Sequence, residues 1–130
     1  MKVIVDTSIW SLVLRRQQPD NRLANILQDL IADGRIIMIG AIRQEILSGI
    51  KHQQQYEKLK DNLRAFSNLN LDTEDYELAA NYFNICRRNG IQGSNTDFLI
   101  CAVASRRNYA VFTVDNDFID FSRYIPIVSI

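Results

Sequence analysis

Hydrophobic residues are distributed along the chain in two different patterns. Short apolar runs are typical of strands that are buried on both faces of a sheet. Between them lie longer segments whose apolar residues recur every three or four positions, which predicts helices with one buried face. The runs predict five strands, at residues 2–5, 35–39, 66–71, 110–113 and 126–129. The longer segments predict helices over residues 9–14, 23–31, 42–50, 53–64, 74–88, 97–107 and 115–121.

Strands that alternate with helices imply a parallel sheet covered by helices on both faces. We therefore predict an α/β fold, a three-layer α/β/α sandwich with a central, mostly parallel sheet of about five strands. The chain of 130 residues is long enough for one domain, residues 1–130, with its own core. No apolar run approaches the roughly 18–20 residues that cross a bilayer. The first residues lack the apolar core of a signal peptide, so we expect a cytoplasmic protein.

Four carboxylates lie where predicted strands or helices begin or end. They are Asp6, Glu45, Asp97 and Asp115. Because ligands of open α/β folds bind outside the carboxyl ends of the strands, we expect these acids to meet at that edge of the sheet. Oxygen ligands without histidine or cysteine favour a hard divalent cation, Mg²⁺ or Mn²⁺. Without a cation the acids would repel one another, and at least one should have a raised pKa.

Each acid also has a simpler explanation. Asp97 could be a first-turn residue favoured by the dipole of its helix. Asp115 and Asp117 could be turn and N-cap residues after a strand. Glu45 could lie on the solvent face of its helix. Asp6 is the hardest to explain in this way because it directly follows an apolar strand, so the joint pattern carries the prediction of a metal site.

The net charge is zero, from 15 basic and 15 acidic residues, which argues against a cationic coat for nucleic acid. If the four acids surround a metal, 11 acidic residues face 15 basic ones elsewhere, which leaves a charge of +4. Paired arginines in this remainder could contact phosphates around an acidic centre. The alternative is that each pair ends a helix, where the dipole favours cations. The pairs are Arg15-Arg16, Arg87-Arg88 and Arg106-Arg107.

Histidine and cysteine chemistry is not favoured by the sequence. His52 is the only histidine and lies in a polar stretch, so we expect it at the surface and discount a Ser-His-Asp hydrolase. Cys86 and Cys101 lie among apolar neighbours in helical segments. We expect two buried thiols in a reducing compartment, with neither a disulfide nor a catalytic role.

Four segments, in order, resemble those of PIN domains. They are VDTSIW at residues 5–10, Glu45 in a short helix after the second strand, TDFLICA at residues 96–102 and TVDNDF at residues 113–118. The set is most similar to the VapC-type toxins of bacterial toxin–antitoxin pairs. Cys101 stands where the family commonly has alanine, and because both residues are small this departure changes little.

The resemblance implies a metal-dependent endoribonuclease that uses Mg²⁺ or Mn²⁺. By resemblance the metal-binding acids are Asp6, Glu45, Asp97 and Asp115, with Asp117 as an accessory acid. It also implies supporting hydroxyls that orient these acids, at Thr7 or Ser8 and at Thr113.

The resemblance further implies two protein partners, a second copy in a homodimer and a small antitoxin. The apolar edge of a groove for the antitoxin could be formed by residues of the first helix. The alternative is that these side chains are simply core. The residues are Trp10, Leu12, Val13 and Leu14.

Three other functions use a similar acidic edge. A phosphotransferase would make Asp6 a nucleophile and needs a lysine near the phosphate, but no lysine follows Lys60. A receiver-like signalling module would need a phosphoacceptor after a central strand, for which Asp72 is a poor candidate. A PIN-type scaffold could bind RNA or protein without cleaving it, and the intact acid set argues against that reading.

Overall fold

The computed structural model of the protein describes residues 1–15 and 20–130. Within these ranges the chain forms short strands that alternate with helices. The strands are β1 (Val3–Val5), β2 (Ile36–Ile37) and β3 (Ala110–Phe112). The helices are α1 (Thr7–Leu14), α2 (Asn21–Ala32), α3 (Gly40–Leu47), α4 (Gln53–Leu63), α5 (Thr73–Arg88), α6 (Asn95–Arg107) and α7 (Asp117–Phe121).

The three strands form one parallel sheet in the order β2-β1-β3. Val3 is aligned with Ile36 on one side and with Ala110 on the other, which makes β1 the central strand. All three residues of β1 are fully buried, as expected for a strand covered on both faces. Because the strands are parallel, β1 and β3 end at the same edge, where the Asp6 N–H donates to the Phe112 carbonyl over 2.9 Å.

The predicted α/β class and parallel sheet are confirmed, but the predicted number of strands is wrong. In the described part of the chain three strands form instead of five. Residues 66–71 and 126–129 each contribute one isolated parallel bridge, through Asn68 to Met38 and through Ser129 to Val111.

The absence of each of these two predicted strands has a local physical reason. In the first segment the Arg43 guanidinium donates to the Phe66 carbonyl, a backbone group that a ladder would use, and to the Asn68 side chain. In the second segment Pro126 has no N–H to donate. The Ile127 N–H there turns back to the Ile125 carbonyl at 3.0 Å, so the chain meets the sheet only near its end.

Helix α6 is buried almost all round, as its apolar composition predicted. Residues 98–104 are all buried, and they fill the space between the sheet and α5. Cys86 and Cys101 are free, buried thiols, and burial raises the pKa of both, which makes them unreactive. His52 is exposed just before α4, as predicted.

Helix α1 contributes more to the core than to the surface. Trp10 is 2% exposed, donates from Nε1 to the Val5 carbonyl at 3.1 Å and packs edge-on against Phe66. The core interpretation is therefore correct for Trp10. The neighbouring residues 12–14 are half-buried against the same core. No helix in the described ranges is both long enough and apolar enough to span a membrane.

Candidate metal centre

One cavity of about 570 Å³ lies at the carboxyl edge of the sheet and collects the four predicted acids. They come from four separate segments, namely the start of α1, helix α3, the first turn of α6 and the loop after β3. The lining residues are Asp6, Thr7, Ser8, Ala41, Gln44, Glu45, Ser48, Thr96, Asp97 and Asp115.

Asp6 is held in place by two hydroxyl groups. It is 4% exposed, and its Oδ2 accepts hydrogen bonds from Ser8 Oγ at 2.7 Å and from Thr113 Oγ1 at 2.8 Å. Thr113 Oγ1 in turn accepts from the Asp115 N–H at 2.9 Å. Ser8 and Thr113 thus join the ends of β1 and β3 and orient two of the acids, which is the role predicted for these hydroxyls.

Glu45 faces the cavity from α3. The apolar side of this helix, with Ile42 and Ile46, packs into the core, and Glu45 lies beside it and half-buried. Its Oε1 accepts a hydrogen bond from Thr7 Oγ1 at 2.6 Å. The alternative of a solvent-facing glutamate is therefore wrong, and Thr7 and Ser8 orient different acids.

Asp97 combines the two interpretations that the sequence left open. It is the third residue of α6 and forms a capping box, in which Asp97 Oδ2 accepts from the Ser94 N–H at 3.0 Å and Ser94 Oγ accepts from the Asp97 N–H at 3.1 Å. Burial raises the pKa of Asp97, and the negative charges of Asp6 and Asp115 raise it further, against the effect of the Ser94 bonds. Asp97 is thus both a helix cap and a member of a repelling acidic set, as expected.

Gly93 allows the loop before α6 to lie against the aromatic core. A Cβ atom at this position would lie 2.6 Å from Phe121 Cζ and 3.0 Å from Phe98. Both rings are buried, so neither has room to move aside. The glycine therefore fixes the approach of the chain to the capping box of Asp97.

Asp117 does not line the cavity. It begins α7 and is exposed, and its backbone N–H donates to Asp115 Oδ1 at 2.9 Å. Asp117 therefore reaches the cavity through its N–H group and Asp115, and its role as an accessory acid stays a prediction. That bond fixes the direction of the Asp115 carboxylate.

Several lining residues were missed in the sequence. Ala41, Gln44 and Ser48 have the spacing that places them on the same face of α3 as Glu45. Once Glu45 is assigned to the site, the helical spacing of these three residues from Glu45 predicts that they line it too. Thr96 precedes Asp97 and carries no such signal.

The last arginine pair binds acids inside the protein. Arg107 forms a two-point contact with Asp75, from Nη1 to Oδ1 at 2.7 Å and from Nη2 to Oδ2 at 2.9 Å. Arg106 contacts Asp75 at 2.7 Å, Asp72 at 2.8 Å and Glu74 at 2.9 Å. The interpretation of this pair as phosphate ligands is therefore wrong.

The described residues of the other two arginine pairs are Arg15, Arg87 and Arg88. Arg87 lies over the Phe83 ring, 5.1 Å from its centroid, and Arg88 is exposed in the last turn of α5. This turn is where the helix dipole favours a cation. Arg15 ends α1, and Arg16 lies outside the described residues.

The donor groups of the cavity fit a hydrated divalent cation. All of its potential ligands are oxygen atoms, which is the preference of Mg²⁺ and Mn²⁺. In residues 1–15 and 20–130 no three acids are arranged to hold an ion by themselves. Mg²⁺ bound here would keep several water ligands, because it usually binds only one or two carboxylates directly. Fold and cavity together define an α/β protein with an acidic cavity at the carboxyl edge of its sheet.

The chain belongs to the PIN domain family. The family model of the PIN domain matches residues 3–124, nearly the whole chain. The resemblance inferred from the four acidic segments is confirmed at the level of this family. Comparison with curated protein sequences gave no significant match.

Solved structures with the same fold include complexes from three bacteria. VapBC2 from Rickettsia felis, bound to a DNA fragment from its promoter, has a TM-score of 0.80 at 20% identity and covers 100% of this chain and 98% of that one. FitAcB from Neisseria gonorrhoeae has a TM-score of 0.78 at 20% identity, with coverage of 98% and 95%. VapBC-5 from Mycobacterium tuberculosis, a member of the VapBC family of toxin-antitoxin systems, has a TM-score of 0.70 at 17% identity, with coverage of 100% and 98%. At these identities the likeness establishes the fold.

Proposed function

We propose that the protein is a divalent-metal-dependent endoribonuclease that acts as the toxin of a toxin–antitoxin pair in the cytoplasm. The observation that carries this proposal is the convergence of Asp6, Glu45, Asp97 and Asp115 on one cavity of a PIN fold. Like charges brought together repel one another, and a bound cation would offset this repulsion. Three hydroxyl groups hold two of these acids at distances of 2.6–2.8 Å.

The four acids would hold Mg²⁺ or Mn²⁺, directly and through water. A bound ion lowers the pKa of a water molecule and offsets negative charge on the scissile phosphate and on the leaving oxygen. The carboxylates orient the attacking water, and one of them accepts its proton. Ser8, Thr113 and Thr7 keep the carboxylates in this orientation, and Asp117 serves the site by directing Asp115.

The test of this proposal is cleavage of RNA by the purified protein. We expect cleavage with Mg²⁺ or Mn²⁺, no cleavage with a chelator, and loss of cleavage in Asp6→Asn and Asp97→Asn variants whose circular dichroism is unchanged. The matched control is Asp29→Asn, which changes an exposed carboxylate on α2 outside the cavity. Full activity in both cavity variants would contradict the assignment.

The proposed partners are an antitoxin and a second copy of the chain. The VapBC-5 structure comes from a toxin-antitoxin system, and the present chain shares its fold. A mainly apolar cavity of about 220 Å³ next to α1, α2 and α4, lined in part by Trp10, Val13 and Leu14, supports an antitoxin groove. Co-expression with the product of the adjacent gene should give a stable complex and relieve growth inhibition. Absence of both effects would contradict the antitoxin assignment, and light scattering tests the dimer.

A further inference from the structure

A second cavity, of about 280 Å³, lies between α5 and the first turns of α6. It is lined by Tyr76, Ala79, Ala80, Asn95, Thr96 and Leu99. Thr96 lines this cavity and the acidic one, so the two adjoin. A ligand that enters the acidic cavity can therefore extend into the second one without leaving the surface.

The lining of the second cavity suits a flat, uncharged group. Tyr76 is 56% exposed at its rim, and the nearly buried Ala79 and Leu99 form an apolar floor. None of its lining residues is charged, whereas the acidic cavity contains four carboxylates. An aromatic ring over an apolar floor is the surface on which nucleobases stack in single-stranded nucleic acids.

The same cavity carries polar groups that can contact a base edge. Ser94 and Asp97 form the capping box at the start of α6, so the side chains of Asn95 and Thr96 are not needed to cap this helix. In the described part of the chain neither of these two side chains makes a hydrogen bond within the protein. An asparagine amide offers both donors and an acceptor, which match the edge of a base.

We propose that this cavity binds the base of a nucleotide next to the scissile phosphate, a role that rests on the proposed nuclease function. The base stacks on Tyr76, Asn95 contacts its edge, and Thr96 lies between the base and the phosphate. Tyr76 and Asn95 are then specificity-determining residues, and the acids remain the catalytic ones.

The first experiment measures binding without cleavage. It uses the Asp97→Asn protein and fluorescently labelled short RNAs in which one nucleotide at a time lacks its base. We expect one abasic position to weaken binding about 5- to 150-fold, the range of one stacked base. Adding Tyr76→Ala should remove this difference, whereas Tyr76→Phe should retain most of it. The control is Tyr124→Ala, which changes another exposed tyrosine that lines neither cavity.

The second experiment separates this inference from the nuclease proposal. Cut sites of the metal-loaded protein are mapped on an RNA library, and we expect Asn95→Ala to change the preferred base beside the cut. An unchanged preference together with an unchanged abasic difference in Tyr76→Ala would overturn the inference and leave the nuclease proposal intact. Absence of any RNA cleavage by the parent protein would instead overturn the nuclease proposal. If Tyr76→Ala alters only the oligomeric state, the surface is an interface between copies and the inference is wrong.

Discussion

Helices α5 and α6 begin with the same local structure but have opposite electrostatics. Each starts with a capping box whose third residue is aspartate, and the carboxylate of that residue accepts from the N-cap N–H at 2.9 Å in α5 and 3.0 Å in α6. The pKa of Asp75 in α5 is held far below its usual range, foremost by Arg107. The pKa of Asp97 in α6 is raised by burial and by neighbouring acids.

The difference between the two aspartates comes entirely from tertiary neighbours. Asp75 has no exposed surface and is matched by Arg106 and Arg107, so its charge is paired within the protein. Asp97 faces Asp6 and Asp115, so its charge is left for a ligand to pair. An aspartate in a capping box is therefore structural or functional according to the charges brought to it, and local sequence does not decide between them.

The largest expected effect is loss of activity in Asp97→Asn. An asparagine oxygen can still accept from the Ser94 N–H, so the cap survives while the ligand charge is lost. We expect RNA cleavage to fall by more than the roughly 10- to 100-fold typical of changes around a metal ligand. We also expect the free energy of unfolding, measured in urea, to be no lower than that of the parent, because repulsion with Asp6 and Asp115 is relieved. A marked loss of stability would mean that the cap depends on charge.

The reverse outcome is expected for Asp75→Asn. The cap again survives, but two partly buried guanidinium groups lose their shared anion. Removing one member of a buried ion pair typically costs about 3 kcal/mol of unfolding free energy. The measurement is urea unfolding at neutral pH, with RNA cleavage by the folded protein unchanged. A variant as stable as the parent would show that Asp72 and Glu74 suffice for Arg106 and Arg107.

A smaller effect is expected when the orientation of Asp6 is disturbed. Thr113→Val keeps the shape of the side chain but removes the hydroxyl that contacts Asp6 and accepts from Asp115. We expect activity to fall by about 10- to 100-fold with the metal requirement retained. The matched control is Thr73→Val, which changes an exposed threonine at the start of α5. Equal activities of the two variants would contradict the positioning role of Thr113.

The smallest effect concerns the pH dependence of stability. Because the folded-state pKa of Asp75 lies below its ordinary value of 3.8, its charge stabilises the fold above that pH and stops doing so as pH falls towards the folded-state value. The stability difference between the parent and Asp75→Asn should therefore be constant at neutral pH and shrink below about pH 4. Urea unfolding at pH 7, 4 and 3 measures it. A difference that does not change with pH would show that the loss arises from packing.

The acidic cavity was largely predictable because the positions of its acids follow from topology. Asp6 comes directly after a buried strand and Asp115 comes shortly after another, and parallel strands end at one edge. The spacing also predicted the apolar helix α6. The position of Asp117 predicted a direct role for its carboxylate, but the contact that the structure shows is from its N–H to Asp115.

The Asp75 cluster was not predictable because its parts lie far apart in the chain. The acids in the first turn of α5 and the arginines in the last turn of α6 each match the helix dipole, so neither signalled a partner. Asp75 and Arg107 are 32 residues apart and meet only because α5 and α6 pack side by side. The strand predicted at residues 66–71 does not form for a similar reason, since the Arg43 guanidinium, which comes from α3, donates to the Phe66 carbonyl that a ladder would use.

Residues at the junction of β1 and α1 hydrogen-bond to residues that are made much later. Thr7 contacts Glu45, 38 positions further on, and Asp6 contacts Thr113, 107 positions further on. The cavity can therefore be completed only after the residues up to Asp115 have been made. For a protein proposed to cut RNA, the site cannot act on the message being translated until the segment that carries Thr113 and Asp115 has left the ribosome.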